Sequence, residues 1–438
     1  MKTRYAQVGL GGRSRMYTEA ITQHYREHCE LVGLCDTNPG RLELCRTQLP
    51  PDYPPVPIYA AQDFDRMLAE TRPDVVIVTT VDQFHDEYIV RAMELGCDVI
   101  TEKPMTTTAE KCQRIVDTAR CTGRRVRVTF NYRYSPARSQ VKELLMAGTI
   151  GEVFSVDFHW LLNTRHGADY YRRWHRQKVN SGGLLVHKAT HHFDLVNWWL
   201  STVPETVMAF GARRFYRPEM AERYGLRGRG ERCHTCGVKE RCHFFLDLAG
   251  NERLRRMYLE QEHHDGYFRD RCVFAEEIDI EDAMVLVVRY RNGALMSYSL
   301  NSFCPWEGYT IAFNGSKGRL EHRMVESVYI SGDGSVPGET ICEGTHICVF
   351  PHFAPPYSVP VRAGKGGHGG GDNPLLEDLF SPNPPPDPLK RAASYVEGAY
   401  SILTGIAANR SLATGRPVRI RSLVRRLPRP NFTAMKEW

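Results

Sequence analysis

The 438-residue chain has no apolar run of transmembrane length, and its first residues are polar rather than a secretory apolar core. Neither a membrane span nor an export signal is predicted, and the chain reads as cytoplasmic. It also lacks a dominant charge: 57 Lys and Arg against 51 Asp and Glu leave a net +6, with both signs interspersed. That balance calls for no nucleic-acid or membrane partner. No internal repeat is present. The length gives room for two or three domains with cores of their own. Most of the thirteen cysteines are scattered along apparent helices and strands, where a thiol is usually a small buried hydrophobe.

The chain is organised around its opening stretch. Residues 4–9 read as a buried strand, Gly9-Leu10-Gly11-Gly12-Arg13-Ser14 as a tight turn, and the following residues as a helix. Strand, glycine turn and helix in that order make a dinucleotide site: the glycines let backbone approach a pyrophosphate, and the helix start offers free N–H groups. Ser14 stands where a third glycine is usual. A second apolar run, 30–35, ends in Asp36, an acid placed to bind both ribose hydroxyls and to repel a 2′-phosphate, so NAD is expected over NADP.

Strand and helix signals alternate to about residue 130, which predicts a doubly wound parallel sheet. Ligands of such sheets sit beyond the carboxyl ends of the strands. That singles out Asp36, Thr79, Thr80, Asp82, His85, Glu102, Lys103, Asn131 and Arg133. From 131 to 438 the pattern becomes long alternating strands with few helices. It predicts an α+β unit with a large, mostly antiparallel sheet that needs a cover, and hence a homo-oligomer. Asn292-Gly293 marks a hairpin, 183–200 and 389–409 read as helices, and the Pro- and Gly-rich 351–388 as a long loop.

Lys103, at a strand end between Glu102 and Pro104, is placed to hydrogen-bond a substrate hydroxyl beside a bound cofactor. On the 183–200 helix, His187, His191, Asp194 and Trp198 share one face by spacing, with the histidines as candidate proton acceptors and Asp194 oriented toward His191 or the substrate. Two histidines one turn apart also suit zinc, but Lys188 follows the first where a zinc protease has glutamate.

The glycine turn, the Glu102-Lys103-Pro104 triplet and the Gly-Gly helix with His191 and Asp194, ahead of a mostly β half, resemble the Gfo/Idh/MocA family of NAD(P)-dependent oxidoreductases acting on sugars, inositols and related polyols. The resemblance covers nearly the whole chain. It implies an N-terminal Rossmann domain over 1–130, a substrate and oligomerisation domain over 131–438, and catalytic roles for Lys103 and His191. One departure stands out. The family usually has an aspartate one turn before the helix histidine and a glycine between them; here these are His187 and Ala189. A second feature, Gly366-Gly367-His368-Gly369-Gly370-Gly371, resembles a stretch of NAD-dependent glycoside hydrolases in the same superfamily, which oxidise a sugar hydroxyl transiently, eliminate the aglycone, add water and return the hydride. His368 is thereby a substrate-site candidate. Three readings follow: net dehydrogenation of a carbohydrate hydroxyl, redox-recycling hydrolysis, and a sensor without turnover.

Within the insertion 225–275, Cys233, Cys236, Cys242 and Cys272 have spacing that suits a structural zinc held by four thiolates; an iron–sulfur cluster and free thiols are the alternatives. Residues 258–270, rich in acids, histidine and tyrosine, are expected near the rim of the substrate cleft.

Overall fold

A computed structural model describes residues 2–326 and 340–435. Six parallel strands form the first sheet: β1 (Thr3–Val8), β2 (Cys29–Asp36), β3 (Ile58–Ala60), β4 (Val75–Val78), β5 (Asp98–Thr101) and β6 (Val126–Val128), in the order β3-β2-β1-β4-β5-β6. The order reverses between β1 and β4. Their carboxyl ends, carrying the glycine turn and Thr79, therefore diverge around a crevice. Val76, Ile77 and Val78 are fully buried, as a run of β-branched residues with helices on both faces requires.

Nine strands form the second sheet: β7 (Val153–Asn163), β8 (Pro204–Ala212), β9 (Ala283–Tyr290), β10 (Leu295–Cys304), β11 (Glu307–Gly315), β12 (Gly318–Glu326), β13 (Thr340–Pro351), β14 (Tyr357–Val359) and β15 (Val418–Arg419). The order is β14-β13-β12-β11-β7-β10-β9-β8-β15, antiparallel except where β10 lies parallel to β7. Gly293, at φ +92°, closes the β9–β10 hairpin. Met284, Leu286 and Val288 of β9 point inward, while Val285 and Val287 face out. The inner face packs on the helix Thr190–Leu200: Trp160 stacks on His192 at 3.8 Å and Trp199 meets Phe313 edge-on.

Three expected elements differ. The 183–200 helix breaks into a turn, Leu184–His187, and a helix, Thr190–Leu200, entered through Gly182 and Gly183 at positive φ. The late helix runs Tyr395–Thr414, because Ser394 and Glu397 form a capping box and Gly415 ends it. The 351–388 stretch is not all loop. It holds β14 and a helix, Asp372–Phe380, whose Leu376 and Phe380 are buried against the first sheet. The late helix fixes the short His187 turn closely: a Cβ at Gly405 would lie 2.1 Å from the Leu185 carbonyl oxygen.

Candidate active site

A cavity of about 390 Å³ runs from the carboxyl ends of the first sheet to the second domain. At one end, Gly9 sits at φ +87°, and a Cβ there would lie 2.5 Å from the Thr80 backbone nitrogen. Only glycine allows this contact between the turn and the end of β4. Gly11 has open space where its side chain would be, so backbone is bare toward the cavity. Thr79 Oγ1 donates to the Gly9 carbonyl at 2.5 Å. Asp36, nearly buried, accepts from the Leu10 and Asn38 amides at 2.5 and 2.7 Å and still lines the cavity. Bare glycine backbone, an anchored acid after β2 and the unpartnered buried Oδ1 of Asn131 form a cradle that fits a dinucleotide. Glu102 holds Arg13 at 2.7 Å and accepts from Tyr17 Oη at 2.6 Å. His85 bridges the Pro104 and Thr80 carbonyls.

At the other end, three side chains from both halves form a chain. The imidazole Nδ1 of His187 lies 2.5 Å from Asp82 Oδ2, and its Nε2 lies 3.4 Å from Lys103 Nζ. Burial pushes the Asp82 carboxyl well above its ordinary value, and the His187 imidazole well below. Burial also lowers the Lys103 ammonium to about 8, against the pull of Asp82 and Glu102. A neutral imidazole thus links an amine that releases its proton near neutrality to a carboxyl able to hold one. The aspartate missing one turn before His191 has a counterpart here: Asp82 supplies a carboxylate from the facing domain, and to His187.

His191 also lines the cavity, stacked on Tyr132 at 4.2 Å with its Nδ1 unpartnered. On the remaining wall His368, at φ +55°, is bonded through Nδ1 to Asp372 at 2.9 Å. Asp372 in turn accepts from Asn131 Nδ2 at 2.7 Å and lies 3.4 Å from Arg13.

Three expected site residues stand elsewhere. Arg133 and Asp194 form a two-pronged pair at 2.7 and 2.5 Å, each 1% exposed, and neither lines the cavity. Asp194 stands one turn beyond His191 on the same helix, Thr190–Leu200, with its carboxylate taken by Arg133, and Trp198, one turn further, donates to the Leu389 carbonyl. Ser14 turns its hydroxyl back to the Gly11 carbonyl at 2.7 Å, and so shapes the turn without lining the cavity.

The expected zinc is not supported. Cys233, Cys236, Cys242 and Cys272 do line one small cavity of about 30 Å³, but among the described residues no three His, Cys, Asp or Glu side chains form a group able to hold a metal ion. Burial pushes the Cys233, Cys242 and Cys272 thiols up. The insertion has an apolar anchor instead: Leu226 and Phe274 are buried, with Phe244 packed on Phe274 and Tyr216.

Sequence reasoning passed over Tyr170, Arg173, Trp174, His175 and Lys188, all of which line the cavity. The signal for the first four was the aromatic and basic run 170–175, which has neither helical nor strand periodicity. Tyr258, Asp265 and Tyr267 of the insertion complete the wall.

Residues 3–130 match the oxidoreductase family with an NAD-binding Rossmann fold (GFO_IDH_MocA), and 142–420 match its C-terminal α/β domain. The chain belongs to the Gfo/Idh/MocA oxidoreductase family. It is 40% identical over 429 residues to YteT of Bacillus subtilis, covering 95% of this chain and 97% of that one. It is 27% identical over 190 residues to the D-glucoside 3-dehydrogenase of Escherichia coli, 43% of this chain and 52% of that one. The WlbA dehydrogenase of Bordetella pertussis, solved with NADH and UDP-GlcNAcA, shares the fold with a TM-score of 0.63 at 20% identity, covering 96% of this chain and 99% of that one. The family assignment carries with it an NAD-binding domain and oxidoreductase chemistry. Among the described residues no helix is long and apolar enough to cross a membrane.

Proposed function

We propose that this Gfo/Idh/MocA oxidoreductase moves a hydride between NAD and a hydroxyl-bearing carbon of a sugar, glycoside or polyol. The observation that carries the reading is the Asp82–His187–Lys103 chain at the end of the cavity away from Asp36. Gly9, Gly11, Gly12 and Arg13 would hold the pyrophosphate and Asp36 the adenosine ribose. Thr79, Thr80 and Asn131 would line the rest of the bound cofactor. When bound, the nicotinamide accepts the hydride. The chain's own groups manage the proton. Lys103 in its amine form takes the hydroxyl proton, His187 relays it from Nε2 to Nδ1, and Asp82 holds it. Neutral imidazole suits this task because it accepts at one nitrogen while releasing at the other. His191, stacked and without a carboxylate, orients the substrate.

One observation favours a second reading, redox-recycling hydrolysis: His368 has a carboxylate of its own, Asp372, on the wall beside His191. In it, His368 removes the proton made acidic by the neighbouring ketone. Incubation with nitrophenyl glycosides and free hexoses, with and without added NAD, separates the readings. Stoichiometric NADH without nitrophenol supports dehydrogenation, and nitrophenol without net NADH supports hydrolysis. Neither product from any glycoside or hexose, with NAD bound, leaves a sensor.

A homo-oligomer through the open face of the second sheet belongs to the same proposal. Phe210, Val285, Val287 and Leu295 are all more than half exposed on that sheet. Sedimentation should then give a mass above that of one chain.

A further inference from the structure

The charges around the cavity do not balance evenly along its length. Near the adenosine end, Asp36 and Asp265 share Arg41. In the middle, Glu102 holds Arg13, and Asp82 is engaged by His187. Every acid of the lining therefore has a basic partner. Beyond His187 two further cations line the wall, Arg173 and Lys188, and the acids nearest them, Asp169 for Arg173 and Glu307 and Glu326 for Lys188, lie outside the lining.

Arg173 is the more telling of the two. Its nearest carboxylate, Asp169, is already gripped by both terminal nitrogens of the fully buried Arg269, at 2.9 Å each. Arg172 approaches the same carboxylate at 3.6 Å, and Arg173 stands off at 3.5 Å. Three guanidinium groups thus surround one carboxylate, and the close positions belong to Arg269. Arg173 keeps about a fifth of its side chain exposed on the cavity, and its buried Nε has no partner. Lys188 is 4% exposed, donates to Tyr132 Oη at 3.2 Å and lies 5.1 Å from the Trp160 ring centre, and the charges of Glu307 and Glu326 act on it. A guanidinium that shares its carboxylate with two others keeps hydrogen-bonding capacity for an anion that enters the cavity. Guanidinium is the cation whose planar fork matches a carboxylate.

We infer that the substrate is a sugar acid, whose carboxylate docks on Arg173 while a ring hydroxyl faces Lys103. The inference rests on the hydride-transfer reading and narrows its substrate class. Arg173 is then a specificity residue. It touches the acid and leaves the reacting carbon to the Lys103 group. Guanidinium stays charged at every working pH, so the preference for an acid should persist across the whole range in which the sugar carboxyl is ionised.

The test uses the full chain saturated with NAD, titrated calorimetrically with D-galacturonate and D-glucuronate, with their methyl esters, and with D-galactose and D-glucose. The ester keeps the shape and removes the charge. At least one acid should bind about 10–100-fold more tightly than its ester and neutral counterpart, the worth of a charged, two-pronged hydrogen bond. In Arg173→Gln, checked by thermal melting for an intact fold, that gap should shrink to within a few-fold. An ester or neutral sugar binding as tightly as the acid, binding of neither acid, or a gap that survives Arg173→Gln would each overturn the inference. NADH production followed in the same samples separates the two claims. Acid-selective binding with no NADH from any of these sugars sinks hydride transfer and leaves the carboxylate site. Turnover of neutral sugars with no acid preference does the reverse.

Discussion

Two charged groups are buried where the domains meet, and they differ in one respect. Arg133 and Asp194 satisfy each other completely, 1% exposed each, with no face on the cavity. Lys103, His187 and Asp82 are bonded in a row, but all three line the cavity, and Lys103 meets an imidazole nitrogen rather than a carboxylate. The first arrangement locks segments together; the second leaves a proton free to move. Burial alone therefore does not mark a functional charge. What marks it is burial combined with an open side and an incomplete set of partners.

Breaking the open group should have the largest effect on rate. Lys103→Met is expected to lower kcat by about 10²–10⁴-fold, and His187→Asn by a similar factor, the range for loss of a positioned acid–base group. NAD affinity, read by fluorescence titration, should stay within a few-fold in both. Equal activity of Lys103→Met and the parent would erase the distinction between the two clusters. Breaking the closed group should act on stability instead. Arg133→Met leaves a buried carboxylate unpaired and should cost about 3–5 kcal/mol, seen as a lowered denaturant midpoint. The folded fraction should keep a near-parent kcat. A large drop in kcat with unchanged stability would mean that Arg133 works in the site after all.

The two clusters were unequally legible in the sequence. Lys103 stands at a strand end, and strand ends of a doubly wound sheet are where ligands go, so its place followed from the alternation of elements. The partnership of Asp82 with His187 spans 105 residues and two domains, and no spacing rule reaches that far. Helical spacing put Asp194 beside His191. The two do share the helix Thr190–Leu200, but the Asp194 carboxylate is taken by Arg133, a partner that no spacing rule foretells. Arg173 and His175 come from a segment with no periodicity, placed by the fold of its neighbours. The glycine turn was the clearest signal, since Gly9 answers a steric demand within a few residues of itself. The cysteine spacing suggested zinc, but among the described residues no group able to hold a metal ion is present, and the four thiols stand beside the apolar anchor of Phe244 and Phe274.

The proton chain is tested most directly by the pH dependence of kcat/KM for NAD reduction, in the parent and in Asp82→Asn. Lys103 must be deprotonated to accept the hydroxyl proton, so the rate should rise with pH through about 8 and level off above it. In the direction of NADH oxidation the same group must be protonated, so that rate should fall through the same pH. Asp82 raises the Lys103 value, so Asp82→Asn should move the rising limb to lower pH while lowering the plateau. A limb that stays in place in Asp82→Asn, or that persists in Lys103→Met, would contradict the account.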